Sequence, residues 1–203
     1  MDLFSPEFDP DNNLLPKDGR VHYHGPVMAG EEGDDYFRLL LDSIDWNSDL
    51  IHMFGKRIET KRKVAWYGDR DFEYTYSKLT KTALPWTGEL LELKALVEKE
   101  SGERYNSCLL NLYHNGQQGM SWHSDAERDL LRDGAIASLS LGAQRRFLFK
   151  HRKGGEKVEL ILEHGSLLVM KGATQRFWLH CLPPAKQLKA PRINLTFRTI
   201  VPR

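Results

Sequence analysis

His123-Ser124-Asp125 places an imidazole and a carboxylate two residues apart. In an extended chain residues i and i+2 point to the same side, so both groups can reach one point. Two such ligands hold a metal poorly. A third must come from elsewhere, and His180 is the best candidate. Two histidines and one carboxylate on one face of an octahedron leave three positions open, the usual site of non-haem Fe(II) oxygenases. A His-x-Asp pair alone is commonly a surface or hydrogen-bonded pair, so the metal needs support from the rest of the chain.

That support comes from Arg192-Ile193-Asn194-Leu195-Thr196-Phe197-Arg198, which alternates throughout. Ile193, Leu195 and Phe197 share one face of a strand; Arg192, Asn194, Thr196 and Arg198 share the other. A half-buried strand would turn that polar face to water. Turned inward, it would offer two guanidinium groups and a hydroxyl to a closed pocket. Buried arginines need anions, and a small dicarboxylate held at both ends would satisfy both. Asn111 and Tyr113 alternate in the same way and could complete hydrogen bonds to that anion.

The elements that must position these groups can be sketched from periodicity. Residues 1–33, rich in Pro, Gly, Asp and Asn, suggest an acidic arm with one short strand over 20–23. His22 and His24 are not expected to be ligands. Residues 34–43 fit an amphipathic helix with acidic residues in its first turn, followed by Trp46 over its apolar face. Short strands are expected over 51–56, 63–67 and 72–77, and Tyr74 and Tyr76 share a face of the last. Pro85 is expected to open a helix that ends at Ser101-Gly102, with Leu90, Leu91, Leu93, Leu96 and Val97 as its stripe. Eight strands should follow, over 106–113, 121–125, 136–142, 146–150, 157–162, 166–170, 175–181 and 192–200. The fold class is α+β, mainly β: a double-sheet jelly roll (double-stranded β-helix) with the N-terminal helices packed on one sheet.

The chain's 203 residues suffice for one sizeable domain. No apolar run approaches the roughly 20 residues that span a bilayer, and the acidic start lacks the features of a secretory signal. Cys108 and Cys181 form no disulfide framework or zinc-ribbon spacing, so a reducing cytoplasm is the simplest setting. A monomer without a membrane partner is expected. The net charge of +1 hides an asymmetry: residues 1–50 carry three basic side chains against twelve acidic ones. Basic groups cluster at Lys56-Arg57, Lys61-Arg62-Lys63, Arg145-Arg146 and Lys150-His151-Arg152-Lys153. Each is by itself an ordinary solvated face; together they suit a polyanionic partner.

His123-Ser124-Asp125, His180, Arg192-x-Asn194-x-Thr196-x-Arg198 and Asn111-x-Tyr113 together resemble the AlkB family of Fe(II)/2-oxoglutarate dioxygenases. The stretches IASLSLGAQRRFLF, LEHGSLLVMKGATQRFWLH and PRINLTFR add to the likeness, which covers roughly residues 50–200. MFGK, YGD, YTYS and ALPW resemble the branch that repairs alkylated bases in nucleic acid.

The resemblance implies Fe(II) as cofactor, held by His123, Asp125 and His180, with 2-oxoglutarate and O2 as co-substrates. It places Arg192 on the distal carboxylate of 2-oxoglutarate and Arg198 at the C1 carboxylate end near Asn111. Tyr113 and Thr196 would add hydrogen bonds, and Asn194 would line the same face. Tyr74, Tyr76 and Ser77 would border a base pocket, and His123 would lie against the base. Glu127 would read the base's exocyclic amine. Phe54 matches a position where some relatives insert a hydrophobic finger, although core packing is the simpler reading. Residues 34–203 would then form the dioxygenase domain, with helices and nucleotide-recognition strands over 34–104 and the jelly roll over 105–203. The implied activity is oxidative demethylation of N1-methyladenine and N3-methylcytosine in DNA, releasing formaldehyde, succinate and CO2. Its setting would be the nucleoid or nucleus. Some relatives carry an acidic residue where Ala126 stands, so base preference stays open. Alternatives are the same chemistry on RNA, hydroxylation of a protein or lipid, a damaged-base binding module and a zinc site.

Overall fold

The structure is a computed structural model and describes residues 9–53, 56–76 and 79–201. Its elements run β1 (Arg20–Pro26), α1 (Gly30–Ser43), β2 (Asn47–Met53), β3 (Lys56–Gly68), β4 (Glu73–Tyr76), β5 (Leu79–Thr82), β6 (Leu84–Pro85) and α2 (Gly88–Ser101). They continue through β7 (Ser107–Tyr113), β8 (Met120–His123), β9 (Ile136–Gly142), β10 (Arg145–His151), β11 (Lys157–Leu162), β12 (Ser166–Lys171), α3 (Thr174–Phe177), β13 (Trp178–Leu182) and β14 (Arg192–Arg198).

The larger sheet runs β1-β12-β9-β14-β7-β3-β2, with β6 added beside β3. The smaller runs β11-β10-β13-β8, and β4 and β5 pair antiparallel as a separate two-stranded sheet. The two main sheets face each other as a jelly roll, with α1 and α2 against the outer side of the larger one. Its strands therefore bury both faces, in two clusters. Ile193, Leu195 and Phe197 of β14 join Leu110, Leu139 and Val169 beneath Leu40, Leu90, Leu93 and Val97 of the helices. Between the sheets, Val21, Leu168 and Met170 meet Phe147, Phe149, Trp178 and Leu182.

Several boundaries differ from expectation. β1 extends to Pro26 and pairs antiparallel with β12, so residues 20–26 are an integral edge of the larger sheet and no structural break falls at residue 33. Val21 and Tyr23 are buried there, which ties the strand down. α1 begins at Gly30, with Glu31 and Glu32 as its acidic first turn. Trp46 does close that helix: its indole N–H donates to the Leu40 carbonyl at 3.2 Å.

Pro85 does not open α2. It pairs in β6, and Thr87 caps the helix by accepting the Leu90 N–H on its hydroxyl. Only Leu90, Leu93 and Val97 of the expected stripe are buried, whereas Leu91 faces solvent. Gly102 ends the helix as foreseen, in the left-handed conformation (φ 68°) that glycine adopts without penalty. The strand expected over 175–181 is instead a helical turn, α3, followed by β13. No helix among the described residues is long and apolar enough to cross a membrane.

Candidate active site

β8 and β13 are antiparallel neighbours, and their register sets His180 opposite His123. The chain leaves β8 at His123, and Asp125 follows one pleat further on. The three side chains converge. Asp125 Oδ1 lies 3.7 Å from His123 Nε2 and 3.8 Å from His180 Nε2. One ligand atom from each lies within 4.8 Å of the others, close enough for one ion.

Supporting contacts orient the ligands. His123 Nδ1 sits 2.7 Å from the Ser121 carbonyl, so that nitrogen carries the proton and Nε2 keeps its lone pair for a metal. The Asp125 backbone N–H donates to Gln175 Oε1 at 2.9 Å. Phe147 stacks on the His180 ring at 5.5 Å. Burial drives His180 down to about 4, although Asp125 opposes the shift, so its imidazole is neutral and ready to ligate near neutral pH. Burial pushes the Asp125 carboxyl up, but Arg198 and the two imidazoles outweigh it and hold it below the usual carboxylate value.

The polar face of β14 turns inward onto the same cavity, of about 190 Å³, which Asn111, Tyr113, the three candidate ligands and Arg192 all line. Register places Arg192 opposite Tyr113, and Asn194 opposite Asn111. Arg192 Nη2 donates to Asn194 Oδ1 (2.7 Å) and Ser140 Oγ (2.9 Å). Ser138 Oγ also donates to Asn194 Oδ1, and Asn194 Nδ2 donates to Thr196 Oγ1. These neutral partners aim the guanidinium without neutralising it. Arg192 Nε is buried and has no hydrogen-bond partner among the described residues, and burial lowers the group to about 10.

The donor set and this orphaned cation together fit the implied groups. Two imidazoles and a carboxylate suit a divalent iron with open positions. A buried guanidinium with an unmet donor suits a carboxylate.

Arg198, expected at the C1 carboxylate end of 2-oxoglutarate, lines the same cavity. It lies 3.8 Å from Asp125 and 3.4 Å from Glu127, so it already faces two carboxylates. Glu127 Oε2 is buried without a hydrogen-bond partner among the described residues and keeps its acceptor capacity. A second cavity of about 330 Å³ adjoins here and shares Asp125, Glu127 and Arg198. Phe54 and Ser77 lie outside the described residues, as do the side chains of Tyr74 and Tyr76.

Sequence reasoning missed Ser138 and Ser140, although their alternation with Ala137, Leu139 and Leu141 was a usable signal. It also missed Arg62, which reaches from β3 to donate to Asn111 Oδ1, and Gln175, whose partner is fifty residues away. The basic clusters need correction. Arg145 is buried, His151 is buried against Trp178, and Arg146 is held by Glu159. Lys63 donates to Ser48. Lys150, Arg152 and Lys153 remain on the surface, and Arg152 donates to Ser124 Oγ, between the candidate ligands, at 2.7 Å.

Residues 19–198 match the 2OG-Fe(II) oxygenase superfamily. "DNA oxidative demethylase ALKBH2" of Mus musculus is 37% identical over 95% of this chain and 85% of that protein. The Bos taurus protein of the same name is 38% identical over 91% of this chain and 72% of that one. "Alpha-ketoglutarate-dependent dioxygenase alkB homolog 3" of Homo sapiens is 38% identical, covering 90% and 67%. The solved structure of OsALKBH1 shares the fold at a TM-score of 0.63 and 17% identity, over 91% of this chain and 98% of that one.

Proposed function

This chain belongs to the AlkB family within the 2OG-Fe(II) oxygenase superfamily, and from that membership we propose that it is an oxidative demethylase of N-alkylated bases, N1-methyladenine and N3-methylcytosine, in DNA. The observation that carries the proposal is the convergence of His123, Asp125 and His180 with the unmet Nε donor of Arg192 in one cavity. The names of the ALKBH2 relatives support DNA as the substrate.

His123, Asp125 and His180 hold Fe(II). Arg192 takes the distal carboxylate of 2-oxoglutarate beside Tyr113, and Asn111, Asn194, Thr196 and Arg198 complete the polar wall. Bound Fe(II), with 2-oxoglutarate and O2, supplies the oxidation that converts an N-methyl group to N-hydroxymethyl, with succinate and CO2 as the other products. The hydroxymethyl C–N bond then breaks, leaving formaldehyde and the normal base. The protein's part is orientation and exclusion of side reactions. A base in a duplex must leave the stack to reach the cavity, at a cost of a few kcal/mol, which is least for a base that cannot pair. The resemblance to the family would assign Tyr74, Tyr76 and Ser77 to the extruded base, where aromatic rings favour its positive charge. Glu127 Oε2 accepts from its exocyclic amine. Lys150, Arg152 and Lys153 hold phosphates without reading sequence.

The test mixes protein, Fe(II), 2-oxoglutarate and an oligonucleotide carrying one N1-methyladenine without oxygen, and then admits O2. Loss of one methyl mass together with succinate, absent in His123→Ala and Arg192→Ala, is the expected result. Succinate without demethylation would move the substrate to RNA or beyond nucleic acid. No succinate from folded, iron-loaded protein would leave a binding module.

A further inference from the structure

Arg145 has no part in the reading above. It is only 2% exposed, although its sequence neighbour Arg146 lies on the surface in a two-pronged pair with Glu159. Alternation along β10 explains the split: Arg145 shares the inward face with Phe147 and Phe149. Arg145 Nη2 donates to the carbonyls of Gln118 (2.8 Å) and Pro183 (2.9 Å). Its Nε is buried without a hydrogen-bond partner among the described residues. Among the described residues, neither Arg145 nor Arg192 has a carboxylate within ion-pair distance. A guanidinium does not escape this by losing its proton, so both charges stay.

Both guanidinium groups lie against one phenol. Arg145 is 5.8 Å and Arg192 5.6 Å from the centre of the Tyr113 ring. Burial depresses Arg192, and the charge of Arg145 adds to that fall. Arg192 lines the cavity and Arg145 lies outside its lining, against the same Tyr113 ring, so two buried positive charges flank that phenol with no counter-ion among the described residues. An isolated buried charge is costly, and a ligand anion offsets that cost for every cation within its field.

We propose that Arg145 is a specificity-determining residue for the co-substrate: acting through the field behind Tyr113, it selects a 2-oxo acid ending in a carboxylate over one ending in a methyl group. This rests on the reading of Arg192 and Tyr113 as the distal anchor for 2-oxoglutarate. The competing role is structural, with Arg145 only stapling the backbone at Gln118 to that at Pro183.

Calorimetric titration of the Mn(II)-loaded protein separates the two without turnover. The probes are 2-oxoglutarate and, by competition, 2-oxopentanoate, which has the same chain length and a terminal methyl. Arg145→Gln keeps an N–H donor for the carbonyls and drops the charge; Arg145→Lys keeps the charge. The expected result is about tenfold weaker binding of 2-oxoglutarate to Arg145→Gln, with 2-oxopentanoate unchanged and the lysine variant discriminating like wild type. Equal losses for both ligands, or no loss for either, would reduce Arg145 to a staple. Should Arg145→Gln not fold, the lysine variant decides: discrimination kept supports the proposal, and discrimination lost overturns it. Wild-type protein that binds no 2-oxoglutarate would sink the proposed function itself.

Discussion

The two faces of β14 are both buried, yet they are built for opposite ends. Ile193, Leu195 and Phe197 are sealed beneath α1 and α2 among other apolar side chains. Arg192, Asn194 and Thr196 are almost as inaccessible, but they line a cavity and hold one another by hydrogen bonds. The first face stabilises the fold through area removed from water. The second costs stability, because among the described residues the Arg192 charge is buried beside neutral partners. One strand therefore carries both the scaffold and the binding function, separated by the width of a pleat.

Changes at the cavity face should remove function and spare the fold, whereas changes at the helix face should do the reverse. The largest effect belongs to His123→Ala. Metal affinity should fall by more than about 100-fold, the upper range for loss of a mere supporting group, with demethylation lost alongside. Metal titration and thermal unfolding of the apo-protein check it together; a large drop in apo stability would break the contrast. Arg192→Leu sharpens it most. It should weaken 2-oxoglutarate binding by about 100-fold, while the apo-protein stays as stable or gains up to about 4 kcal/mol. Denaturant unfolding beside calorimetry would read both signs.

Leu195→Ala, one residue from Asn194, should cost about 2–5 kcal/mol in unfolding free energy and leave the metal affinity of the folded protein near wild type. Acidification gives a smaller effect. The depressed His180 binds its proton more weakly in the fold than in the unfolded chain, so apo stability should fall from about pH 6.5 to about pH 4. The depressed carboxyl of Asp125 adds a further loss below its ordinary 3.8. His180→Phe should flatten the upper part of that decline in a pH series of unfolding curves. Smallest of all, Ser140→Ala removes one of the two acceptors that Arg192 Nη2 finds among the described residues and should raise the 2-oxoglutarate dissociation constant about fivefold, roughly the worth of one hydrogen bond.

Much of this was legible locally. The alternation Arg192-x-Asn194-x-Thr196-x-Arg198 and the pair His123-x-Asp125 are period-two patterns, readable from side-chain order alone. Capping was less legible. Pro85 looked like a helix opener, but the nearby Thr87 hydroxyl provides the stronger start, and Pro85 is drawn into a bridge with β3. The strand read across 175–181 begins three residues later, at Trp178, because Thr174 accepts and donates hydrogen bonds that favour a helical turn before it. The basic clusters were legible only in part, because composition cannot tell an inward Arg145 from an outward Arg146.

The sequence alone determined which side chains share a face, which residues could ligate a metal and which strand could carry an anion, because pleating is a local property of the backbone. Only the tertiary structure decided that the polar face of β14 points between the sheets and the apolar face toward the helices. That choice depends on what packs against each side, and those partners come from β9, β10, α1 and α2. It likewise decided that His180 meets His123, that Arg198 answers to Asp125 and Glu127, and that Arg145 lies buried beside Tyr113. Each is a meeting of segments distant in the chain, fixed by strand register and not by spacing.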